Sequence, residues 1–343
     1  MNHPMLSILP NGIERWLNQH GYGEVITDVS KIGVGQSNPT FIIKTHDDAF
    51  ILRSQPEGAL LKSAHAVDRE YRVMAALEDS PVPVPKMIKL VDDREQYEVK
   101  FFLMEKIEGR TLMNPALPEL SPSDRAGLYL KQVDVLASLA TLDITALGLE
   151  DYGRPQGFLD RQLAIWTKQY RAAETDHIPE MEMLITGLEG QFEDALALPH
   201  TVVHGDVRLD NMILTEDNVP EVAALIDWEL STLGPVFVDL SYWCAMLRMG
   251  HDWEIGGLGG LDREPLAIPD EEELVAYFCQ KTGLEKPTNW EIWIAFQLFR
   301  FASILQGIKK RHQDGNASAA NAEAVGKQAL PVARLAAEIY SQA

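Results

Sequence analysis

The run His204-Gly205-Asp206-Val207-Arg208-Leu209-Asp210-Asn211, followed by Ile226-Asp227-Trp228-Glu229, holds the densest collection of chemistry-bearing side chains in this sequence. Phosphoryl transfer needs a carboxylate to orient the acceptor hydroxyl and oxygen ligands to hold Mg²⁺ against a triphosphate. Asp206 and Asn211, five residues apart on one loop, would supply the first and part of the second. Asp227, sixteen residues beyond Asn211, would return on a hairpin with the other metal ligand. Taken singly, such residues often do no more than shape a turn. Their grouping on short apolar runs inside an otherwise helical region points to a site.

Positioning these groups requires elements that the hydrophobic pattern partly reveals. Between residues 25 and 104, short β-like runs alternate with turn signals. Residues 40–45 (TFIIKT) and 50–53 (FILR), separated by His-Asp-Asp-Ala, read as a hairpin. Residues 66–77 repeat at 3.6, with Val67, Tyr71, Met74 and Leu77 on one apolar face and Glu70 at its edge. Pro81, Pro83 and Pro85 forbid continuation of that helix, and strands follow at 87–91 and 99–104. The order β-β-β-α-β-β suggests a sheet with one crossing helix. Beyond Gly109 long helical periods take over, at 123–141, 158–173, 181–198, 271–281, 290–310 and 320–341. They are interrupted between 201 and 226 by the apolar runs TVVHGD, NMIL and VAALID, which carry the site. Gly256–Gly260 (GGLGG) has no strand-turn-helix frame and reads as a flexible loop.

Bulk properties narrow the partners. A chain of 343 residues with 46% hydrophobic content can fill two cores or one large one. With 51 acidic residues against 30 basic, its formal charge of −21 repels nucleic acid and anionic membrane surfaces. Cys244 and Cys279 form no CxxC and sit in helix-like apolar surroundings, so both read as buried free thiols in a reducing compartment. No export signal and no run of about 18 apolar residues appears, which makes the cytoplasm the expected location. The nine histidines form no zinc motif.

The stretch VHGDVRLDNMIL, then ALIDWELSTLGPVFVDLSYW, resembles the aminoglycoside phosphotransferase and choline kinase superfamily, relatives of the protein kinases. It looks especially like the phosphotransferase-like domains fused to some acyl-CoA dehydrogenases. The resemblance implies an α+β, protein-kinase-like two-lobed fold: a small antiparallel β-sheet N-lobe with one crossing helix over residues 1–107, and a larger, mainly helical C-lobe over 108–343. It implies Asp206 as catalytic base, Asn211 and Asp227 as Mg²⁺ ligands, His204 as a loop-positioning residue, and Asp239 as the group that ties the catalytic loop's backbone together. Arg208 stands where a cation would lie near the transferred phosphate. Gly33, Gly35 and Ser37 would form a glycine-rich flap over the phosphates. Arg53, in place of the usual lysine, would grip them while held by Glu70. Backbone groups of Glu105 and Ile107 would bind the base.

An ATP- or GTP-dependent, Mg²⁺-dependent kinase of small-molecule hydroxyls is therefore expected, with a nucleotide-binding pseudokinase as the alternative. Pseudokinases usually lack one of the groups named above, and none is missing here. A hydrolase or dehydrogenase would need a GxSxG elbow or a GxGxxG opening a helix, and neither occurs. The acceptor would be chosen by residues 115–198 and 246–311. Acidic residues 271–273 would suit an aminoglycoside, and basic residues 309–311 the phosphates of a hydroxyacyl-CoA.

Overall fold

The computed structural model describes residues 4–32, 38–57, 65–217, 220–316 and 321–343. Gly33, Gly35 and Ser37 of the expected flap lie outside the described residues. The chain divides into two compact units, Met1–Glu108 with Ala223–Glu229, and Gly109–Val222 with Leu230–Ala343.

In the first unit, β1 (Ile26–Ile32), β2 (Thr40–Thr45), β3 (Ala49–Ser54), β4 (Met87–Val91) and β5 (Phe101–Glu105) form one sheet in the order β1-β2-β3-β5-β4, every neighbouring pair antiparallel. Side chains alternate across a strand with period two. Phe41, Ile43, Phe50, Leu52, Phe101 and Leu103 therefore share one face, which packs on Ile13, Trp16 and Leu17 of a helix α1 (Ile13–Gln19). The sequence pattern gave no sign of α1, because its seven residues are too few to establish a period. The opposite face carries Ile51, Arg53 and Phe102 and receives α2 (Val67–Leu77). Val73 takes the buried place expected of Tyr71, which sits half-buried at the edge of the helix with its ring 6.1 Å from that of Phe102. Glu70 is not at an edge but 2% exposed. A four-residue helix α3 (Arg94–Tyr97) joins β4 to β5.

The second unit is built around helices: α4 (Pro122–Ala140), α5 (Phe158–Ala173), α6 (Pro179–Gly187), α7 (Val238–Arg248), α8 (Glu271–Thr282), α9 (Trp290–Gln313), α10 (Ala322–Lys327) and α11 (Ala329–Tyr340). Sequence chemistry sets several ends. Ser121 caps α4 with Pro122 at its first position, Asp270 and Glu273 form a reciprocal capping box on α8, and Gly283 closes α8 at φ 71°. Helix α9 is buried on nearly every side as far as Gln306, and α5, α7, α10 and α11 pack around it. The strands β6 (His200–Val203), β7 (Met212–Leu214), β8 (Val222–Leu225) and β9 (Thr232–Pro235) interrupt the helices, β6 pairing antiparallel with β9.

Several helix expectations need correction. The period across 181–198 ends at Gly187, beside Gly190 at φ 73°, and only a short 3₁₀ turn follows at Asp194–Ala197. The helix expected at 320–341 is two, because Pro331 has no N–H to give to the Lys327 carbonyl and α11 starts afresh at Ala329. Helix α7 was missed because Val238 to Leu247 are all buried, which leaves no polar face to reveal a period. The GGLGG loop is not loose. Cβ atoms at Gly257 and Gly259 would come within 2.3 Å of the Met246 carbonyl oxygen and 2.5 Å of that of Arg248. Cys244 is buried, and burial pushes its thiol well above the usual range, but Cys279 is partly exposed. No described helix is long and apolar enough to cross a membrane.

Candidate active site

Two clusters of polar side chains, one in each unit, hold the charged, amide and imidazole groups from Arg53 to Asp239 that the sequence singled out, apart from Glu105. The first grows from β3. Period-two alternation turns Arg53 toward α2, where its Nε lies 2.7 Å from Glu70 Oε2. Its Nη2 donates to Asp227 Oδ1 at 2.6 Å and lies 3.4 Å from Glu229 Oε2, while Nη1 donates to Thr40 Oγ1 at 3.3 Å. Asp227 follows β8 and adopts φ 68°, a left-handed conformation that non-glycine residues rarely take. That backbone reversal turns its carboxylate toward Arg53. The other Glu70 oxygen accepts a hydrogen bond from Asn38 Nδ2 at 2.5 Å, and Asn38 Oδ1 in turn accepts from His65 Nδ1 at 2.9 Å.

Burial pushes the Glu70 carboxyl up to about 7, and Asp227 and Glu229 add to the rise against the opposing pull of Arg53 and Asn38. Between the ordinary 4.5 and about 7 the folded state thus holds a proton that the unfolded chain has released, so the stability this group contributes falls as pH rises through that window. The denaturation midpoint of the wild type is expected to drop more between about pH 5 and about pH 8 than that of Glu70→Gln, which has no proton to lose. Parallel pH profiles for the two proteins would show that Glu70 titrates normally.

The second cluster surrounds the loop after β6. Both oxygens of Asp239, on the first turn of α7, accept backbone N–H groups, from His204 at 2.7 Å and Gly205 at 2.8 Å. Gly205 has φ 88°, and a Cβ there would lie 3.1 Å from the Leu230 carbonyl oxygen, so the turn requires glycine. His204 is fully buried, and its Nδ1 accepts the Asp206 N–H at 3.2 Å. The Asp206 carboxylate is held at both ends. Tyr242, one turn beyond Asp239 on α7, donates its hydroxyl to Oδ1 at 2.5 Å, and Asn211 Nδ2 donates to Oδ2 at 3.2 Å and to the Asp206 carbonyl at 2.9 Å. Burial drives the Tyr242 phenol well above its usual range, so it remains a proton donor. Arg208 pairs with Asp210, with its Nε 3.7 Å from Asp206 Oδ1.

Carboxylate and amide oxygens are ligands that a hard cation takes, and each unit offers one of them. Because the Asn211 amide nitrogen is turned to Asp206, its carbonyl oxygen is left open, and Asp227 Oδ2 has no hydrogen-bond partner among the described residues. Glu105 pairs with Phe50 at the end of β5, and Ile107 is half-buried in the segment that follows, each within the first unit.

Four participants were not singled out in the sequence. Asn38 had been noted only as a departure from a glycine motif. Glu229 and Tyr242 stood in quoted motifs without a role, although Tyr242 lies at i+3 from Asp239, on the same side of a helix. Arg300 is a lone cation in the apolar run Trp293-Ile294-Ala295-Phe296-Gln297-Leu298-Phe299-Arg300-Phe301, and a charge in such surroundings needs a partner. Four of the six residues expected to read the acceptor's charge have partners within the protein. Glu271 takes Arg248 and the Trp290 indole, Glu273 completes the α8 cap, Lys309 pairs with Asp176 and Lys310 with Asp314.

A five-stranded antiparallel sheet carrying α2, together with a mainly helical unit, makes this a kinase-like aminoglycoside phosphotransferase fold. The chain belongs to the phosphotransferase enzyme family, whose sequence model matches residues 28–277. It is 42% identical over 307 residues to acyl-CoA dehydrogenase family member 10 of Mus musculus, a match covering 88% of this chain and 28% of that protein. A crystal structure of a candidate aminoglycoside phosphotransferase from Ralstonia eutropha JMP134 superposes with a TM-score of 0.85 at 39% identity, covering 96% of this chain and 98% of the other. A thermostable mutant of aminoglycoside phosphotransferase APH(4)-Ia, in ternary complex with ADP and hygromycin B, shares the fold at a TM-score of 0.62 and 14% identity, with 95% and 97% covered. The chain spans 28–42% of the length of the curated relatives it matches.

Proposed function

We propose that this protein transfers the γ-phosphoryl group of ATP or GTP to a hydroxyl of a small molecule, with Asp206 as the base. The observation that carries this reading is the state of the Asp206 carboxylate. It is fixed by Tyr242 and Asn211 on a loop that Asp239 braces, yet it remains partly exposed with Oδ2 able to accept a further proton. Asp206 would take the proton of the acceptor hydroxyl as its oxygen bonds to the γ-phosphorus. The bond from that phosphorus to the β–γ bridging oxygen breaks, and the nucleoside diphosphate leaves. Asn211 and Asp227 would hold Mg²⁺, which when bound offsets the charge of the phosphates. Arg53, oriented by Glu70, would hold phosphate oxygens, and Arg208 would stabilise charge on the group in transfer.

A neighbour of the same fold binds ADP and hygromycin B, which makes ATP the donor to try first, but at 14% identity neither ligand carries over by itself. The name of the mouse relative makes a hydroxyacyl-CoA a natural acceptor to try. Calorimetric titration with ATP tests the reading. Affinity is expected to fall at least about tenfold when EDTA replaces Mg²⁺, because the phosphates would then meet Asp227 unshielded. Equal affinity in the two buffers would remove Asn211 and Asp227 from their proposed role.

A further inference from the structure

Arg53, buried like Arg300, has three carboxylates against it, and the half-buried Arg248 has Glu271 and Glu291. Arg300 is the exception. It is 7% exposed in the middle of α9, and among the described residues no carboxylate lies within ion-pair distance of it. Its guanidinium sits over the Tyr242 ring at 5.1 Å and over the Trp166 ring of α5 at 5.5 Å. Among the described residues it makes one hydrogen bond, from Nη2 to the Gly205 carbonyl at 2.6 Å. Aromatic rings stabilise a cation through its flat faces but leave its edge N–H groups unmatched, and a guanidinium has five donors in that edge. Its remaining nitrogens are not among the buried polar atoms sealed from solvent without a partner. A partner would meet them through the 7% of the residue that stays exposed.

The nearest anions do not fill this gap. Asp239 has both oxygens on backbone N–H groups, and Arg300 lowers its proton affinity only from a distance. Asp206 receives Tyr242 and Asn211. A buried charge is costly unless a partner with matching hydrogen bonds meets it, and the planar edge of arginine suits two oxygens at once. Helices α5, α7 and α9 thus bring an unmatched cation to within one tyrosine ring of the proposed base.

We propose that the Arg300 guanidinium, backed by Trp166 and Tyr242, binds an oxyanion of the phosphoryl acceptor, so that the acceptor is a hydroxyl compound bearing a carboxylate or a phosphate. This rests on the phosphotransferase reading of Asp206 and narrows its acceptor. Polycations such as aminoglycosides are excluded, because they would meet this cation with like charge.

Probes matched except for the oxyanion separate the sources: 4-hydroxybutyrate against its amide, glycerol 3-phosphate against glycerol, and a 4-hydroxyacyl-CoA against the corresponding pantetheine thioester. Each is titrated into the ADP-bound protein and assayed as an acceptor with Mg-ATP, with kanamycin alongside. At least one anionic member is expected to be favoured over its neutral match by about tenfold or more, and that preference identifies the source. Arg300→Gln should collapse the preference, and Arg300→Lys, which retains the charge, should keep part of it. Equal loss of both members of a pair in Arg300→Gln would assign the residue to the fold alone and overturn the proposal, as would a preference for kanamycin. Arg300-dependent anion binding without phosphoryl transfer would instead sink the phosphotransferase reading and leave the subsite standing. Neither binding nor transfer with any probe would overturn both.

Discussion

Asp206→Asn is expected to cut phosphoryl transfer about 10²–10⁴-fold while leaving nucleotide affinity within about twofold. The substitution is close to a pure removal of basicity. An asparagine oxygen can accept the Asn211 amide as Asp206 Oδ2 does, and its nitrogen can donate to the Tyr242 oxygen, with the phenol rotating its proton away. Shape and hydrogen bonding survive, but no atom remains to take the acceptor's proton. Asp227→Asn should behave differently. It removes a charge that Arg53 contacts at 2.6 Å and a proposed metal ligand, so affinity for Mg-ATP and turnover should fall together. Measuring ATP affinity and transfer for both variants separates an enzyme from a nucleotide-binding pseudokinase, in which Asp206→Asn would change nothing. Unimpaired transfer in Asp206→Asn would refute the base even with the fold correct.

The contrast between the two aspartates also shows what sequence could and could not reveal. The loop from His204 to Asn211 stood out because its chemistry is local: a few residues on one turn supply carboxylate and amide, while the Asp239 brace on α7 was expected only from the resemblance. The strands of the sheet were legible wherever one face alternates with the other, as in β2 and β3. Arg53 and Glu70 were expected as a pair from the family resemblance, and the helix period alone set Glu70 only at the edge of the buried face, whereas it is in fact 2% exposed. What lay beyond reach was context. Helix α7 is apolar and buried along its length, so it carried no period, and with it Tyr242 stayed without a function. The return of Asp227 on a hairpin was expected from its spacing, but its left-handed backbone at φ 68° was not, because no glycine there announces it. Three of the charged residues expected to select the acceptor, Glu271, Lys309 and Lys310, stand in ion pairs that the sequence did not announce. A run of like charges does not disclose its partners, whether distant, as Arg248 for Glu271 and Asp176 for Lys309, or four residues on, as Asp314 for Lys310.

Asp239→Asn is expected to destabilise the protein by about 2–4 kcal/mol, a large share of the 5–15 kcal/mol typical of a folded domain. Asp239 is 6% exposed, and its two oxygens each receive a backbone N–H. Asparagine offers one oxygen. Whichever way the amide turns, its NH₂ group faces the N–H of His204 or of Gly205, so one buried donor loses its acceptor and meets another donor. The negative charge that strengthens both bonds is lost as well. Burial already raises the proton affinity of Asp239, with the two N–H groups, His204 and Arg300 opposing it. The carboxylate is therefore retained for what it holds in place. Because the two N–H groups immediately precede Asp206, the loss should reach the base, and phosphoryl transfer should fall even at temperatures where the variant is fully folded. Guanidinium denaturation monitored by tryptophan fluorescence, with transfer assayed well below the melting temperature, reads both effects. A midpoint equal to that of the wild type would mean that the loop is held by its own turn, with Gly205 and the Asn211 amide sufficient to fix Asp206.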